Sequence, residues 1–288
     1  MRTSTEIASA AALVGEELAV EYTAKAGFDC WDLSLFRMCR YSKLQQRVLY
    51  PDHPLAGNEY LTFVRRLKQI GLDNGITCNQ SHAPFPVDVP QVRSYLQRAI
   101  ECTAEAGGEI CVIHPDNNGT PEENAEMFLE LLPFAKEHGV KIATENMWNW
   151  NATKTQSVFA ACSTSESFCA HLDMVNDPYL VACLDIGHAE MRGSGSGAAN
   201  MIRALGSRLQ AVHMHDNDLL HDSHQLPFTM QIDFSQVVGA LREIGYRGDM
   251  TLEVDAFLKS AYPDNVLTGM QIMAQTAKKL VRMFEMKE

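Results

Sequence analysis

The segment Val181-Ala-Cys-Leu-Asp185, followed by Ile-Gly-His188, is a short apolar run that ends in polar and charged side chains. Lys141-Ile-Ala-Thr-Glu145 has the same form earlier in the chain. Short runs rich in apolar and β-branched residues are typical of buried strands. Similar runs recur along the chain, and longer stretches with helical spacing of apolar residues separate them. This alternation predicts parallel strands that are connected by helices.

The alternation extends through the whole chain and predicts eight strands and eight helices. The strands are predicted at 2–7, 28–34, 75–79, 109–113, 140–145, 180–185, 209–214 and 249–253. The helices are predicted at 13–26, 58–72, 90–106, 121–138, 165–175, 197–206, 234–244 and 265–285. Local signals support these assignments: Thr120-Pro-Glu-Glu123 is a capping box with proline at the first helical position, and Gly139 follows the same helix.

Eight strand–helix units predict a single (β/α)8 TIM barrel domain over residues 1–288, because about 250 residues are typical of this fold. An open, doubly wound sheet is the alternative. Such sheets usually carry a GxGxxG turn after the first strand, and the sequence contains no such motif. The barrel is therefore the favoured fold.

Charge and cysteine usage limit the class of protein. The chain has 24 Lys and Arg against 36 Asp and Glu, a formal net charge of −12, which argues against nucleic acid as a partner. No apolar run approaches the roughly 20 residues that span a bilayer, and the first residues lack the pattern of a secretory signal. The 8 cysteines are not in CxxC spacing, which is typical of reduced thiols in a cytoplasmic protein.

Four consecutive predicted strands end in side chains that can bind metal, namely Glu145, Asp185, His213 and Glu253. The carboxyl ends of barrel strands converge on one face, and carboxylates that meet in a desolvated site repel one another unless a cation neutralises them. Oxygen and nitrogen ligands without thiolate fit Mn, Mg, Co or Zn. We therefore predict one divalent cation here. Taken singly, each carboxylate could instead cap the following helix.

Motifs along nearly the whole chain point to a family: Gly27-Phe-Asp29, Ser81-His-Ala-Pro84, Val112-Ile-His114-Pro115, Thr144-Glu-Asn146, Cys183-Leu-Asp-Ile-Gly-His188, His213-Met-His-Asp-Asn-Asp218 and Leu252-Glu-Val254. In these motifs the chain resembles the xylose-isomerase-like TIM-barrel superfamily. That superfamily contains sugar and sugar-phosphate isomerases and epimerases, inosose dehydratase and the abasic-site endonucleases. The resemblance implies that Glu145, Asp185, His213 and Glu253 hold the metal and that His188 faces the substrate.

Either His213 or His215 could be the histidine ligand, because strand alternation puts both on one face. The family pattern places an Asp three residues after the ligand, which favours His213 because Asp216 follows it at that spacing. His215 is then expected behind the ligands or against the substrate.

The resemblance implies a metal-dependent isomerase or epimerase of a small sugar or sugar derivative, which moves a proton through an enediolate. Glu145 and Glu253 are the expected acid and base. In ketose 3-epimerases of the family an Arg follows the metal-binding His, whereas Asn217, Asp218, Leu219 and Leu220 occupy that stretch here. An inosose-type dehydratase therefore stays an alternative, and the sequence does not fix the substrate.

A hydrolase is the other alternative. The abasic-site endonucleases hold three zinc ions with ligands in the order His, His, Glu, Asp, His, His, Asp, His, Glu. This chain offers the same order with His82, His114, Glu145, Asp185, His188, His213, Asp222, His224 and Glu253. Asp222 and His224 are thus candidates for a further metal or for the substrate, while the acidic charge argues against a DNA duplex.

His82, His114 and Trp148 complete the residues expected to contact the carbohydrate substrate. The alternative for the histidines is a buried, hydrogen-bonded imidazole, and for Trp148 it is ordinary apolar packing. The Gly/Ser run at 193–197 is interpreted either as a mobile lid or as a flexible surface loop. A homo-oligomer is left open, because nothing in the sequence reports on assembly.

Overall fold

Eight parallel strands form a TIM barrel in the computed structural model, which describes residues 1–286. They are β1 (Thr3–Thr5), β2 (Cys30–Ser34), β3 (Thr77–His82), β4 (Ile110–Val112), β5 (Lys141–Glu145), β6 (Leu180–Asp185), β7 (Leu209–Met214) and β8 (Met250–Leu252). Each strand pairs with its neighbours in chain order, and β8 pairs with β1. A bridge between Glu6 and Asp32 joins β1 to β2 and brings the two ends of the sheet together.

The helices alternate with the strands and surround the sheet. They are α1 (Ala8–Val14), α2 (Glu16–Ala26), α3 (Tyr60–Asp73), α4 (Pro90–Arg93), α5 (Leu96–Ala106), α6 (Pro121–Glu137), α7 (Ser165–Val175), α8 (Ile186–Glu190), α9 (Ala198–Leu205), α10 (Phe234–Glu243), α11 (Asp255–Ala261) and α12 (Val266–Glu285). All eight predicted strands and all eight predicted helical regions are confirmed. Residues 287 and 288, the end of the predicted domain 1–288, lie outside the described residues.

Two predicted helices are interrupted, and two short helices were not predicted. The region 13–26 is divided at Gly15, whose φ of 84° leaves the helical range, and helix starts earlier, at Ala8. The region 90–106 is divided between α4 and α5. The helices α8 and α11 begin directly after β6 and β8, where the sequence pattern showed only short connections.

The capping box is confirmed. The Thr120 hydroxyl accepts a hydrogen bond from the Glu123 backbone N–H at 3.3 Å, and the Glu123 carboxylate accepts one from the Thr120 N–H at 2.8 Å. Gly139 follows α6 with a φ of 68°. These contacts satisfy backbone donors that would otherwise lack partners at the start of the helix.

Two hairpins are inserted in the loops at the carboxyl ends of the strands. One pairs Arg40–Ser42 with Arg47–Leu49 after β2, and the other pairs Asn149–Trp150 with Ser157–Val158 after β5. We call the first the β2 hairpin.

The core has two parts. Most buried apolar side chains lie between the strands and the helices. A smaller cluster of Val112, Ala143, Val181, Cys183 and Ala211 fills the barrel interior. Small side chains in this layer leave room above it for polar side chains at the strand ends.

The structure also describes the state of the cysteines and the character of the helices. All 8 cysteines are free thiols, and Cys169 alone of them is partly exposed. Among the described residues, no helix has the length and apolar character that crossing a bilayer requires.

The Gly/Ser run at 193–197 packs against neighbouring segments at Ser194 and Gly195. A Cβ on Gly195 would lie 2.0 Å from the Ala189 carbonyl oxygen. The buried Ser194 hydroxyl donates to the Ser157 hydroxyl at 3.0 Å. The glycines are there because the segment passes close to its neighbours.

Candidate functional site

The four predicted metal ligands come together at the carboxyl end of the barrel. Glu145 ends β5, Asp185 ends β6, His213 lies near the end of β7 and Glu253 follows β8. One ligand atom from each lies within 4.8 Å of the ligand atoms of the others. The parallel register produces this convergence, because Asp185 pairs directly with His213 and His213 pairs with Thr251.

His213 lies between the two glutamates. Its Nδ1 is 3.4 Å from Glu145 Oε1 and 3.4 Å from Glu253 Oε2. On the other side of the ring, Nε2 lies 3.2 Å from the Gln80 amide nitrogen and 3.7 Å from Asp32 Oδ2. The ring therefore presents Nδ1 to Glu145 and Glu253, and Nε2 to Asp32 and Gln80 in the barrel interior.

Two further histidines face Glu145. His114 Nε2 is 3.2 Å and His82 Nε2 is 3.4 Å from Glu145 Oε2, and the two Nε2 atoms are 3.0 Å apart. His82 and His114 are thus more than isolated buried imidazoles. With Glu145 they form a second group whose ligand atoms lie within 4.8 Å of one another.

A third group contains His188, His215, Asp222 and His224, with ligand atoms that also lie within 4.8 Å of one another. Asp222 is central, because its carboxylate lies 3.3 Å from His188 Nε2 and 3.1 Å from His224 Nε2. His215 Nε2 is 2.9 Å from Asp185 Oδ1, so this group adjoins the first. These three groups together contain all nine residues that match the order of zinc ligands in the abasic-site endonucleases.

His215 lies away from the position expected for a substrate contact. Its ring is fully buried, stacks on His224 with centroids 4.1 Å apart and is not among the described residues that line the cavity. Gly187 makes room for it, since a Cβ there would be 1.9 Å from His215 Cε1.

Charge interactions inside the barrel shift the acid–base equilibria strongly. Burial opposes ionisation of Glu145, but the charges of His213 and His114 outweigh it and hold its pKa well below the ordinary value. Burial also opposes protonation of His188, but Asp185 and Asp222 raise its pKa to about 10. Burial dominates at His114 and lowers its pKa.

The donor set fits a divalent cation. One buried carboxylate oxygen of each of Glu145, Asp185 and Asp222 lacks a well-aligned hydrogen bond among the described residues, although imidazole nitrogens lie 3.2 Å from Glu145 Oε2 and 3.1 Å from Asp222 Oδ1. Uncompensated buried carboxylate oxygens are costly, and a cation would satisfy them. Oxygen and imidazole donors without thiolate suit Zn, Mn, Co or Mg.

A cavity of about 780 Å³ opens above these groups. Glu145, Glu253, His188, His82 and His114 line it, together with Trp148, Asp222 and His224. Trp148 packs edge-to-face against Trp150 with centroids 4.8 Å apart. Of the predicted substrate contacts, all but His215 therefore reach the cavity.

A buried aspartate organises the loop that carries Asp222 and His224. The Asp216 carboxylate accepts hydrogen bonds from the backbone N–H groups of Asn217, Met230 and Ile232 at 2.8–3.0 Å. Backbone hydrogen bonds between Asp216 and Gln225 close the loop. No sequence pattern indicates this arrangement, because two of the partners of Asp216 are backbone groups 14 and 16 residues along the chain.

Sequence reasoning missed four polar residues of the site. Asn146 is buried and pairs through its side chain with both backbone groups of Asp185, at 2.7 and 2.9 Å. Glu6, at the end of β1, lines the cavity, and Asp32 and Gln80 lie behind His213. Glu6 could have been found by extending to β1 the strand-end reasoning that found Glu145.

A family model described as a xylose isomerase-like TIM barrel matches residues 20–276. An uncharacterized protein of Methanocaldococcus jannaschii is 29% identical over 167 residues, which are 55% of this chain and 55% of that protein. The match thus spans about half the length of this relative.

Two solved structures have the same fold. A D-tagatose 3-epimerase-like protein is 21% identical with a TM-score of 0.71, over 98% of this chain and 99% of the other. The IolI protein, solved with a bound zinc atom, is 18% identical with a TM-score of 0.69. The match covers 99% of this chain and 98% of the other. At these identities the likeness shows the shared barrel.

Proposed function

Because the chain belongs to the xylose isomerase-like TIM-barrel family, we propose that it is a divalent-metal-dependent isomerase or epimerase of a small sugar or sugar derivative. The observation that carries this proposal is that ligand atoms of Glu145, Asp185, His213 and Glu253 lie within 4.8 Å of one another, and that Glu145 and Glu253 line an open cavity. The sugar epimerases among the proteins of similar fold support it.

Glu145, Asp185, His213 and Glu253 would hold one cation. Bound there, a divalent cation supplies Lewis-acid polarisation of a substrate carbonyl and offsets the negative charge that develops when a carbon-bound proton leaves. The zinc in the IolI structure makes zinc a reasonable first metal to test.

We assign proton transfer to Glu145 and Glu253. Both line the cavity, whereas Asp185 is fully buried and absent from the described cavity wall. His213 and His114 keep Glu145 in the ionised form that a base requires, and the same interactions lower its basicity. Two carboxylates on different strands allow one to remove a proton and the other to return it, as an epimerisation requires.

His188, His82 and His114 are assigned to the substrate hydroxyls, since their rings border the cavity. Trp148 offers an aromatic face for a sugar ring, and its packing against Trp150 fixes that face. These contacts orient the substrate and exclude water from the carboxylates.

Hydrogen exchange in heavy water tests the assignment. Purified protein loaded with Mn or Zn is incubated with a panel of ketoses, aldoses and inososes, and deuterium at carbon is measured by NMR. We expect exchange with at least one sugar and its loss in Glu145→Gln even at metal concentrations that saturate the variant, while Glu130→Gln on the surface behaves as wild type. Exchange that continues unchanged in Glu145→Gln would contradict the role of this residue.

A second candidate function is metal-dependent phosphodiester hydrolysis of the abasic-site endonuclease type. The observation in its favour is the third group, His188, His215, Asp222 and His224, which could hold a further cation beside the first. Cleavage of an abasic-site oligonucleotide by zinc-loaded protein at more than one zinc per chain would support it. Absence of cleavage, with sugar exchange present, would leave the isomerase proposal.

A further inference from the structure

The β2 hairpin carries an unusual concentration of positive charge. Residues 33–51 contain four cations, Arg37, Arg40, Lys43 and Arg47, and no Asp or Glu, in a chain of net charge −12. Arg37, Arg40 and Lys43 line the cavity that holds the candidate metal ligands. The remainder of that wall is rich in carboxylates and histidines, with Lys259 as a further cation.

One of these cations is free to bind a ligand. Arg37 is paired with Glu16 at 3.0 Å, and Lys43 is paired with Asp88 at 2.6 Å. For Arg40, by contrast, the structure gives no hydrogen bond or ion pair to a described residue, and its side chain is exposed. A guanidinium presents a fork of donors that matches carboxylate and phosphate oxygens.

The cavity also has room for more than a bare sugar. Its volume of about 780 Å³ lies in the upper part of the roughly 300–1,000 Å³ typical of sites for drug-sized ligands. Its wall includes both the carboxylate residues Glu145 and Glu253 and Arg40 of the hairpin. Phe36 and Phe85, which pack edge-to-face with centroids 5.2 Å apart, also line the cavity.

We propose that the substrate carries an anionic substituent, a phosphate or a carboxylate, and that Arg40 of the β2 hairpin binds it. The inference rests on the proposed function, because it assumes that the reacting carbons lie at the candidate metal ligands. It adds the class of substrate, an acidic sugar derivative, and the residue that selects it.

Calorimetric binding to the full-length, metal-loaded protein tests this proposal without requiring turnover. The probes are fructose and fructose 6-phosphate, with glucuronate as the carboxylate probe. We expect wild type to bind fructose 6-phosphate or glucuronate roughly tenfold or more tightly than fructose, and Arg40→Ala to remove the preference. Arg47→Ala, an exposed change on the same hairpin outside the described cavity wall, should retain it.

The outcomes separate the two proposals. A preference for fructose 6-phosphate alone assigns a phosphate, and a preference for glucuronate assigns a carboxylate. Equal affinities, no binding of any probe, or a preference that survives Arg40→Ala would overturn the inference even if a neutral sugar is isomerised. An Arg40-dependent preference without hydrogen exchange on any sugar would instead count against the proposed function.

An independent observation lies beneath the metal ligands. Asp32 is fully buried, and its Oδ1 has no hydrogen-bond partner among the described residues. Its Oδ2 accepts a hydrogen bond from the Gln80 amide at 2.8 Å and lies 3.7 Å from His213 Nε2. A buried carboxylate this poorly satisfied is costly unless a positive charge compensates it.

A cation bound by His213 would determine which ring nitrogen carries the proton, and this proton would be on the side of Asp32. Nδ1 faces Glu145 and Glu253, so a cation held with those carboxylates takes the Nδ1 lone pair. The ring proton is then on Nε2. Asp32 Oδ2 is the carboxylate oxygen on that side, 3.7 Å away, and it accepts a hydrogen bond from the Gln80 amide that lies 3.2 Å from Nε2. Carboxylates behind metal-bound histidines fix ring orientation and raise ligand basicity.

We infer that Asp32 is a positioning residue that orients His213 for metal binding. Asp32→Asn keeps the shape of the side chain and removes its charge, so we expect the metal-free protein to melt at or above the wild-type temperature. Metal affinity, measured by competition with a fluorescent chelator, should fall about 10–100-fold. Asp32→Glu should recover part of the loss.

Asp29→Asn is the matched control, because Asp29 directly precedes β2 and its carboxylate accepts hydrogen bonds from Thr3. Its metal affinity should equal that of wild type. Unchanged metal affinity in Asp32→Asn would overturn the inference. A lowered melting temperature of the metal-free Asp32→Asn protein would show instead that the carboxylate serves the fold.

Discussion

Glu6 makes the stability of the barrel depend on pH. Its side chain is 4% exposed and lies at the end of β1. Burial raises the pKa of this carboxyl from 4.5 to about 7, against the opposing effect of the hydrogen bonds from Ser9. The folded protein therefore keeps a proton that the unfolded chain releases above about pH 4.5.

The direction and size of this pH effect on stability follow from the linkage between proton binding and folding. Below pH 4.5 the carboxyl is protonated in both states, and stability is unaffected by it. As pH rises from 4.5 to about 7 the unfolded chain loses its proton while the folded protein keeps it, so folded stability falls, and above about 7 the loss stays constant. The difference between 4.5 and about 7 corresponds to about 3 kcal/mol at 1.36 kcal/mol per pKa unit.

Glu6→Gln removes this titration, and its amide oxygen can still accept the hydrogen bond that the Ser9 N–H donates at 3.0 Å. Urea unfolding of both proteins in EDTA, from pH 4 to pH 8, gives the difference in unfolding free energy. We expect the variant to gain about 3 kcal/mol relative to wild type across this range. A difference that is independent of pH would refute the reasoning.

Three further changes test the loops and caps around the site. Gly187→Ala places a Cβ against His215 and should destabilise the fold by about 1–3 kcal/mol in urea unfolding, whereas Gly239→Ala, with nothing within 4 Å, should be neutral or stabilising. Thr120→Ala removes a helix cap and should cost about 1 kcal/mol in the same assay. Asp216→Ala leaves three backbone N–H groups without their acceptor and should speed hydrogen exchange over 217–232. Wild-type stability in Gly187→Ala, or wild-type protection in Asp216→Ala, would contradict these contacts.

The barrel was predictable because its signals are local. Each strand is a short apolar run, and helices such as α6 begin and end at capping residues that the sequence displays, including Thr120 and Gly139. Interruptions were harder to predict. The division between α4 and α5 follows no proline or glycine, so no local residue marks it.

The positions of site residues at the ends of strands were predictable from the sequence, whereas the positions of those in the loops beyond were not. Strand ends in a parallel barrel meet by symmetry, and that placed Glu145 beside Asp185. His215 shows the limit, because β7 ends at Met214 and the two-residue alternation stops there. Past that point the chain turns, and His215 stacks on His224 rather than following His213.

Asp32 and Gln80 were missed for a different reason. They lie within β2 and β3 rather than at the strand ends where candidate ligands were sought, and their importance comes only from contact with His213 across the barrel. Pairwise contacts of this kind depend on the register between strands distant in the sequence, which the pattern of one chain does not give.

Anomalous diffraction from crystals soaked in Mn²⁺, at wavelengths on both sides of the manganese edge, tests the metal assignment most directly. We expect a full-occupancy peak bounded by Glu145, Asp185, His213 and Glu253, with His213 contributing Nδ1. The peak should disappear in the double variant Glu145→Ala, Asp185→Ala. A well-ordered crystal with no peak there, or with manganese bound only elsewhere, would contradict the account.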